Sequence, residues 1–113
     1  MQTTRLDFAE GFRVVLGNAR AQAAVMTISP GQSEGGPDNR HRGADQWLLV
    51  VDGSGVAIVE GEQVHLATGV LLLMETGDRH EIRNTGVGLL KTVSIYLPPA
   101  YDASGEETFE GRA

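Results

Sequence analysis

The 113-residue sequence contains no cysteine, which excludes disulfide scaffolds, cysteine-ligated zinc and thiol chemistry together. Lysine is nearly absent as well. Lys91 is the only one, and the other basic residues are dispersed arginines in a chain of formal net charge -6. Without a basic run there is no electrostatic footprint for nucleic acid or for an anionic membrane surface. Long apolar runs are also missing. The longest, Val70 to Met74, is far too short to span a bilayer. The opening MQTTRLDFAE has no apolar segment of the secretory kind, so a cytoplasmic location is the expectation. There is no phosphate loop, no G-x-S-x-G elbow and no dinucleotide fingerprint. With no cysteine and no Ser-His-Asp constellation, covalent nucleophilic catalysis is not expected.

Glycine, by contrast, is abundant, and its 15 copies fall where turns are expected. No segment holds a helical period. The length suits one domain, residues 1–113, with a modest core. Short apolar runs separated by Gly, Asn and Asp read as strands: Phe12 to Leu16, Ala21 to Ser29, Gln46 to Val51, Val56 to Glu60, Glu62 to Ala67, Val70 to Met74, Arg79 to Arg83 and Leu89 to Leu97. Asp52-Gly53 reads as a hairpin turn, because glycine supplies the positive φ a tight turn needs. The polar, breaker-rich stretch from Pro30 to Asp45 reads as a loop, and the tail, 98–113, as irregular. Strands at this spacing predict an all-β sandwich or barrel with at most a short helix near the tail.

Alternation then singles out a histidine. In RHEIRN, Arg79, Glu81 and Arg83 share one face, and His80, Ile82 and Asn84 share the other. The charged face must be wet, so His80 points inward close to a strand end, where barrels commonly build ligand and metal sites. A neutral histidine bonded to a core neighbour would occupy the same place. His65 lies outside this pattern and reads as a surface residue.

Gly69, Gly77, His80 and Asn84 fall at the spacing G-x5-P-x-G-x2-H-x3-N, with Glu75 in place of the proline. This resembles the second motif of the cupin superfamily, here about 69–84. Upstream, about 36–53, NRHRGADQWLLVVDG is similar to an altered copy of the first motif, G-x5-H-x-H-x3,4-E-x6-G. Gly53 matches, Gln46 takes the glutamate position, His41 the second histidine and Asn39 the first.

The resemblance implies a small antiparallel double-sheet β-barrel of the jelly-roll type. It also implies a divalent metal (Zn, Ni, Mn or Fe) held by His41, Gln46 and His80, with Asn39 as a weak fourth donor. Two neutral imidazoles suit such metals, and a Gln carbonyl is a weaker donor than a carboxylate. Three readings stay open: a metal site with open positions, a decayed site binding an organic ligand by hydrogen bonds, and a self-satisfied polar network. Arg40, Arg42 and Tyr101 are further candidates for ligand contact. The functional expectation is a metal-dependent isomerase, lyase or dioxygenase acting on a small sugar acid or organic acid. The alternative is a non-catalytic binding or sensing module. Trp47, Leu49 and Val51 are apolar on the face turned away from the pocket, which predicts cover by a second sheet or by a second subunit in a homodimer.

Overall fold

The computed structural model describes residues 1–36 and 43–102. Among these there are nine strands and no helix. They are β1 (Gly11–Gly17), β2 (Gln22–Ile28), β3 (Ser33–Gly35), β4 (Asp45–Asp52), β5 (Ser54–Val59), β6 (Glu62–Ala67), β7 (Leu71–Met74), β8 (His80–Arg83) and β9 (Leu90–Leu97). They form two antiparallel sheets, β1-β2-β9-β4-β7 and β3-β8-β5-β6, whose inner faces enclose the core.

The alternation of β4 carries straight into burial. Gln46, Leu48 and Val50 are buried, while Trp47, Leu49 and Val51 are exposed. Leu48 and Val50 join Met26, Leu66, Ile82 and Leu90 in the main apolar cluster between the sheets. β8 shows the same inward set, with His80, Ile82 and Asn84 all buried. Its other face departs from the simple pattern, because Glu81 is buried too. Arg83 explains this: its Nε and Nη2 donate to the two Glu81 carboxylate oxygens at 3.0 and 3.2 Å. A charge-assisted fork of this kind takes the place of the water the carboxylate gives up. His65 is exposed, as expected.

Three local features differ from the sequence expectation or sharpen it. First, Asp52-Gly53 does not close a hairpin. β4 pairs with β7 and β9, whereas β5 pairs with β6 and β8, so the turn carries the chain from one sheet to the other. A sheet-crossing corner and a hairpin both need positive φ, and Gly53 has φ +104°. A tight hairpin instead follows at β5–β6, where Glu60 and Gly61, both at positive φ, join Val59 to Glu62. Second, the long loop contains the short strand β3, which pairs with β8. Third, Asn84 is structural. Its Nδ2 donates to the carbonyls of Ile28 (2.7 Å) and Gly88 (2.8 Å), and its Oδ1 accepts from the Gly86 amide, tying the end of β8 to β2 and to the following loop.

Gly55 marks a close approach of β5 to β8. A Cβ there would run into the Arg83 carbonyl oxygen and lie 3.0 Å from Leu90 Cδ2. Backbone cannot step aside as a side chain can. Gly55→Ala is therefore expected to cost about 1–3 kcal/mol, the usual range for overpacking. Urea unfolding checks this, with a lower midpoint at unchanged slope as the expected result.

The outer face of the five-stranded sheet divides into two regions. On β2 every residue is buried, so that strand is covered on both sides. Residues 1–9 form no strand but line clefts with Ala23 and Ile95 at one end and with Leu89 and Lys91 at the other. Gln2 anchors this segment by exchanging two hydrogen bonds with the Gly17 backbone. Across β7, β4 and β9 the outer face is instead bare and apolar. Trp47 sits between its register partners Leu73 and Ile95, and Leu49 lies beside Leu71; all five are exposed.

Candidate functional site

At one end of the barrel the sheets part around a cavity of about 260 Å³. That is just under the ~300 Å³ at which pockets for drug-sized ligands begin, so it suits a small molecule or a hydrated ion. One wall is aromatic. Tyr101 packs on Phe12 with ring centroids 4.7 Å apart and meets Tyr96 edge-on at 5.1 Å. The chain after β9 is pinned there by Gln22, whose Nε2 donates to the Tyr101 carbonyl (2.7 Å) and whose Oε1 accepts from the Tyr101 amide (3.1 Å). The other wall is polar and is made by Glu34, Gln46 and His80.

Gln46 comes from β4 and is only 3% exposed. Its Nε2 donates to Ser94 Oγ at 3.0 Å, and its Oε1 is buried with no hydrogen-bond partner. A half-turn of the amide would exchange which atom is orphaned without removing the orphan, because the Ser94 hydroxyl meets only one of the two. Leaving such an atom unmet costs about 1–3 kcal/mol.

His80 comes from the first residue of β8 and is also buried. Its Nδ1 lies 3.2 Å from the Asp78 carbonyl. A carbonyl only accepts, so Nδ1 carries a proton. This is the arrangement that orients metal-binding histidines elsewhere. The turn before it is held by Asp78, which accepts from the Glu75 amide, and Gly77 needs its φ of +88°. Asp45, next to Gln46, accepts from the Thr76 amide and hydroxyl and so joins the two motif regions at the rim.

Of the residues singled out from sequence, Gln46, His80 and Tyr101 line this one cavity. Asn39, Arg40, His41 and Arg42 lie outside the described residues. Among the described residues, no three His, Asp or Glu side chains gather in a way that could hold a metal ion. The two family positions that are described lie on the wall of the one cavity: Gln46, whose buried Oε1 has no hydrogen-bond partner, and His80, whose Nδ1 faces the Asp78 carbonyl. Sequence reading missed Phe12, Tyr96 and Glu34. The alternation of β9, with Leu90, Thr92, Ser94 and Tyr96 buried, was the available signal for Tyr96. Nothing in the alternation of a three-residue strand marked Glu34.

A family model described as "Cupin domain" matches residues 24–96. The chain belongs to the cupin family. Its barrel is similar to that of a Bacillus halodurans protein of known structure, at TM-score 0.77 and 26% identity, over 88% of this chain and 76% of that one. It is also similar to a Thermotoga maritima protein described as a predicted oxalate decarboxylase, at TM-score 0.70 and 25% identity, over 78% of this chain and 79% of that one. Among curated proteins it is 36% identical over 61 residues to "Tetracenomycin polyketide synthase protein TcmJ" of Streptomyces glaucescens. That likeness takes in 54% of this cupin and 40% of the Streptomyces protein, so it spans well under half of that relative's length.

Proposed function

We propose that this cupin holds a divalent transition metal, of the Zn, Ni, Mn or Fe kind, in its barrel and acts on a small organic acid or sugar acid. His80 and Gln46 are two of the ligands, His41 is the third and Asn39 a weak fourth. The observation that carries the reading is that Gln46, whose buried Oε1 has no hydrogen-bond partner, and His80 line the same cavity. The metal would supply Lewis acidity toward a carbonyl or enolate oxygen. The chain's own residues do the rest. Gln46 and His80 would hold the metal at the polar wall, and Phe12, Tyr96 and Tyr101 give an aromatic wall that excludes water from one side of the ligand. One relative, described as a predicted oxalate decarboxylase, supports the organic-acid reading. Isomerisation, elimination and dioxygenation all fit such a site.

The test is the metal content of protein purified without a histidine tag, followed by assays on uronates, oxalate and 1,3-dicarbonyl compounds. A divalent metal near one per chain, with turnover of one of these, is the expected result. Protein that stays metal-free in the presence of excess metal, yet binds such compounds without turnover, would make the barrel a binding or sensing module instead.

We further propose that the chain works as a homodimer through the bare apolar face of β7, β4 and β9. A patch of this kind on a soluble protein ordinarily meets a partner. A second copy is the occupant that brings an identical uncharged face, and a two-fold contact closes on itself.

A further inference from the structure

Tyr101 lies beyond the last strand, yet it is fixed from two sides. Ala100, just before it, is buried and packs with Ala24, Ala44 and Tyr96. Gln22 then meets the Tyr101 backbone in both directions: its Nε2 donates to the carbonyl at 2.7 Å, and its Oε1 accepts from the amide at 3.1 Å. Gln22 is itself buried and stands opposite Tyr96 in the β2–β9 register. An amide that satisfies both backbone groups of one residue holds that residue as a neighbouring strand would. The Tyr101 ring is thereby kept 4.7 Å from Phe12 and, edge-on, 5.1 Å from Tyr96, centroid to centroid. These three rings form one wall of the cavity, and Met26 and Ile82 add further apolar surface.

The polar side offers a ligand less than its residue types suggest. Gln46 already donates to Ser94, and its Oε1 is shut away from solvent. His80 is buried, with Nδ1 on the Asp78 carbonyl. Glu34 differs from both. It is the middle residue of β3 and is paired with Ile82 of β8; directly opposed residues leave a sheet on the same side, here the side of the core. It is exposed, and among the described residues its carboxylate meets no donor. An ionised carboxylate only accepts hydrogen bonds. A ligand in this cavity therefore meets aromatic and aliphatic groups over most of its surface, and one free acceptor. A sugar ring carries hydroxyls around its whole edge and needs polar partners on several sides, which the described lining lacks. A flat ring with one donor needs a single partner. The volume of about 260 Å³ suits one ring and not a fused system.

We propose that the cavity takes a flat, single-ring aromatic molecule bearing a hydroxyl: the ring lies against Tyr101, which Gln22 holds in place, and the hydroxyl donates to Glu34. The inference rests on the reading that this cavity is the binding site, and it needs no ion there. Among the acids considered above it selects those that carry an aromatic ring over sugar acids. Tyr101 and Glu34 set the specificity, and Gln22 is a positioning residue that acts through Tyr101.

Amide-resolved NMR titration of the full-length, metal-stripped protein tests it with phenol, methoxybenzene and cyclohexanol. Phenol has both ring and donor, methoxybenzene the ring alone, and cyclohexanol the donor alone. Phenol is expected to bind at least about tenfold more tightly than either, with shifts centred on Phe12, Gly35 and Tyr101. Tyr101→Leu keeps apolar bulk but loses the ring, so it should weaken phenol about tenfold and leave cyclohexanol within about twofold. Gln22→Leu should show the same loss of ring preference, with circular dichroism unchanged. Glu34→Ala should bring phenol down to the affinity of methoxybenzene. Equal affinity of the parent for phenol and cyclohexanol, or parent-like phenol binding in Tyr101→Leu, overturns the proposal. Oxalate and galacturonate, titrated with and without zinc, separate it from the reading on which it rests. If either acid shifts the cavity residues and phenol does not, the ring class falls and the site stands. If none of the probes shifts them under either condition, both fall.

Discussion

His80→Ala is expected to abolish the binding of zinc, nickel and manganese in calorimetric titration, and His41→Ala to do the same. The argument for His80 is geometric. Its ring is buried, fixed by the bond from Nδ1 to the Asp78 carbonyl, and placed on the wall of the cavity that Gln46 also lines. Alanine at this position removes an imidazole that no neighbour replaces among the described residues. For His41 the argument rests on its place in the first motif. The same reasoning ranks the remaining position. Asn39→Ala should change affinity little, because an amide there is a poor donor, whereas Asn39→His should tighten binding by restoring an imidazole. Neither His→Ala change should unfold the barrel, since the core around Leu48, Leu66 and Ile82 is aliphatic and complete without an ion. Far-UV circular dichroism of the variants checks that separation. Unchanged metal affinity in His80→Ala would turn the cavity into a hydrogen-bonding site for an organic ligand, with His80 as one of its polar walls.

Much of the architecture was legible because period-2 alternation maps directly onto two-sided sheets. Gln46, Leu48 and Val50 face inward as their spacing implies, and so do His80, Ile82 and Asn84. The motif spacing works for the same reason, since it fixes which strand ends meet at the barrel mouth. What escaped the sequence is non-local. Asp52-Gly53 has the chemistry of a hairpin, but whether the next strand folds back or crosses to the other sheet depends on partners far along the chain. Ser33–Gly35 is too short and polar to announce itself as a strand, and it exists because β8 offers it an edge. Glu34 therefore stayed hidden in an apparent loop, and a barrel that seemed to lack a carboxylate has one at its rim. Glu81 shows the opposite case. Its burial depends on the fork from Arg83, two residues away on the same face, which a rule that charged faces are wet does not anticipate.

Trp47→Glu is expected to convert a dimer into a monomer at micromolar concentration while leaving the barrel folded. Trp47 lies at the centre of the bare face, flanked in register by Leu73 on β7 and Ile95 on β9, and it is 41% exposed. In a two-fold contact each copy presents the same central tryptophan, so one substitution acts twice. It removes the largest apolar anchor of the interface from both sides and places two carboxylates where water is to be excluded. Large central aromatics commonly carry at least about 2 kcal/mol of an interface, and a buried like-charge pair adds to the loss, so the dissociation constant should rise by two orders of magnitude or more. The fold is spared because Trp47 points away from the core, where Gln46 and Leu48 do the inward packing. Light scattering across a concentration series distinguishes the outcomes. A parent protein that remains monomeric at high micromolar concentration rules the interface out, and Trp47→Glu would then change neither mass nor stability. A dimer that survives the substitution places the contact on another surface, and the residues 1–9 that cover β2 become the next segment to delete.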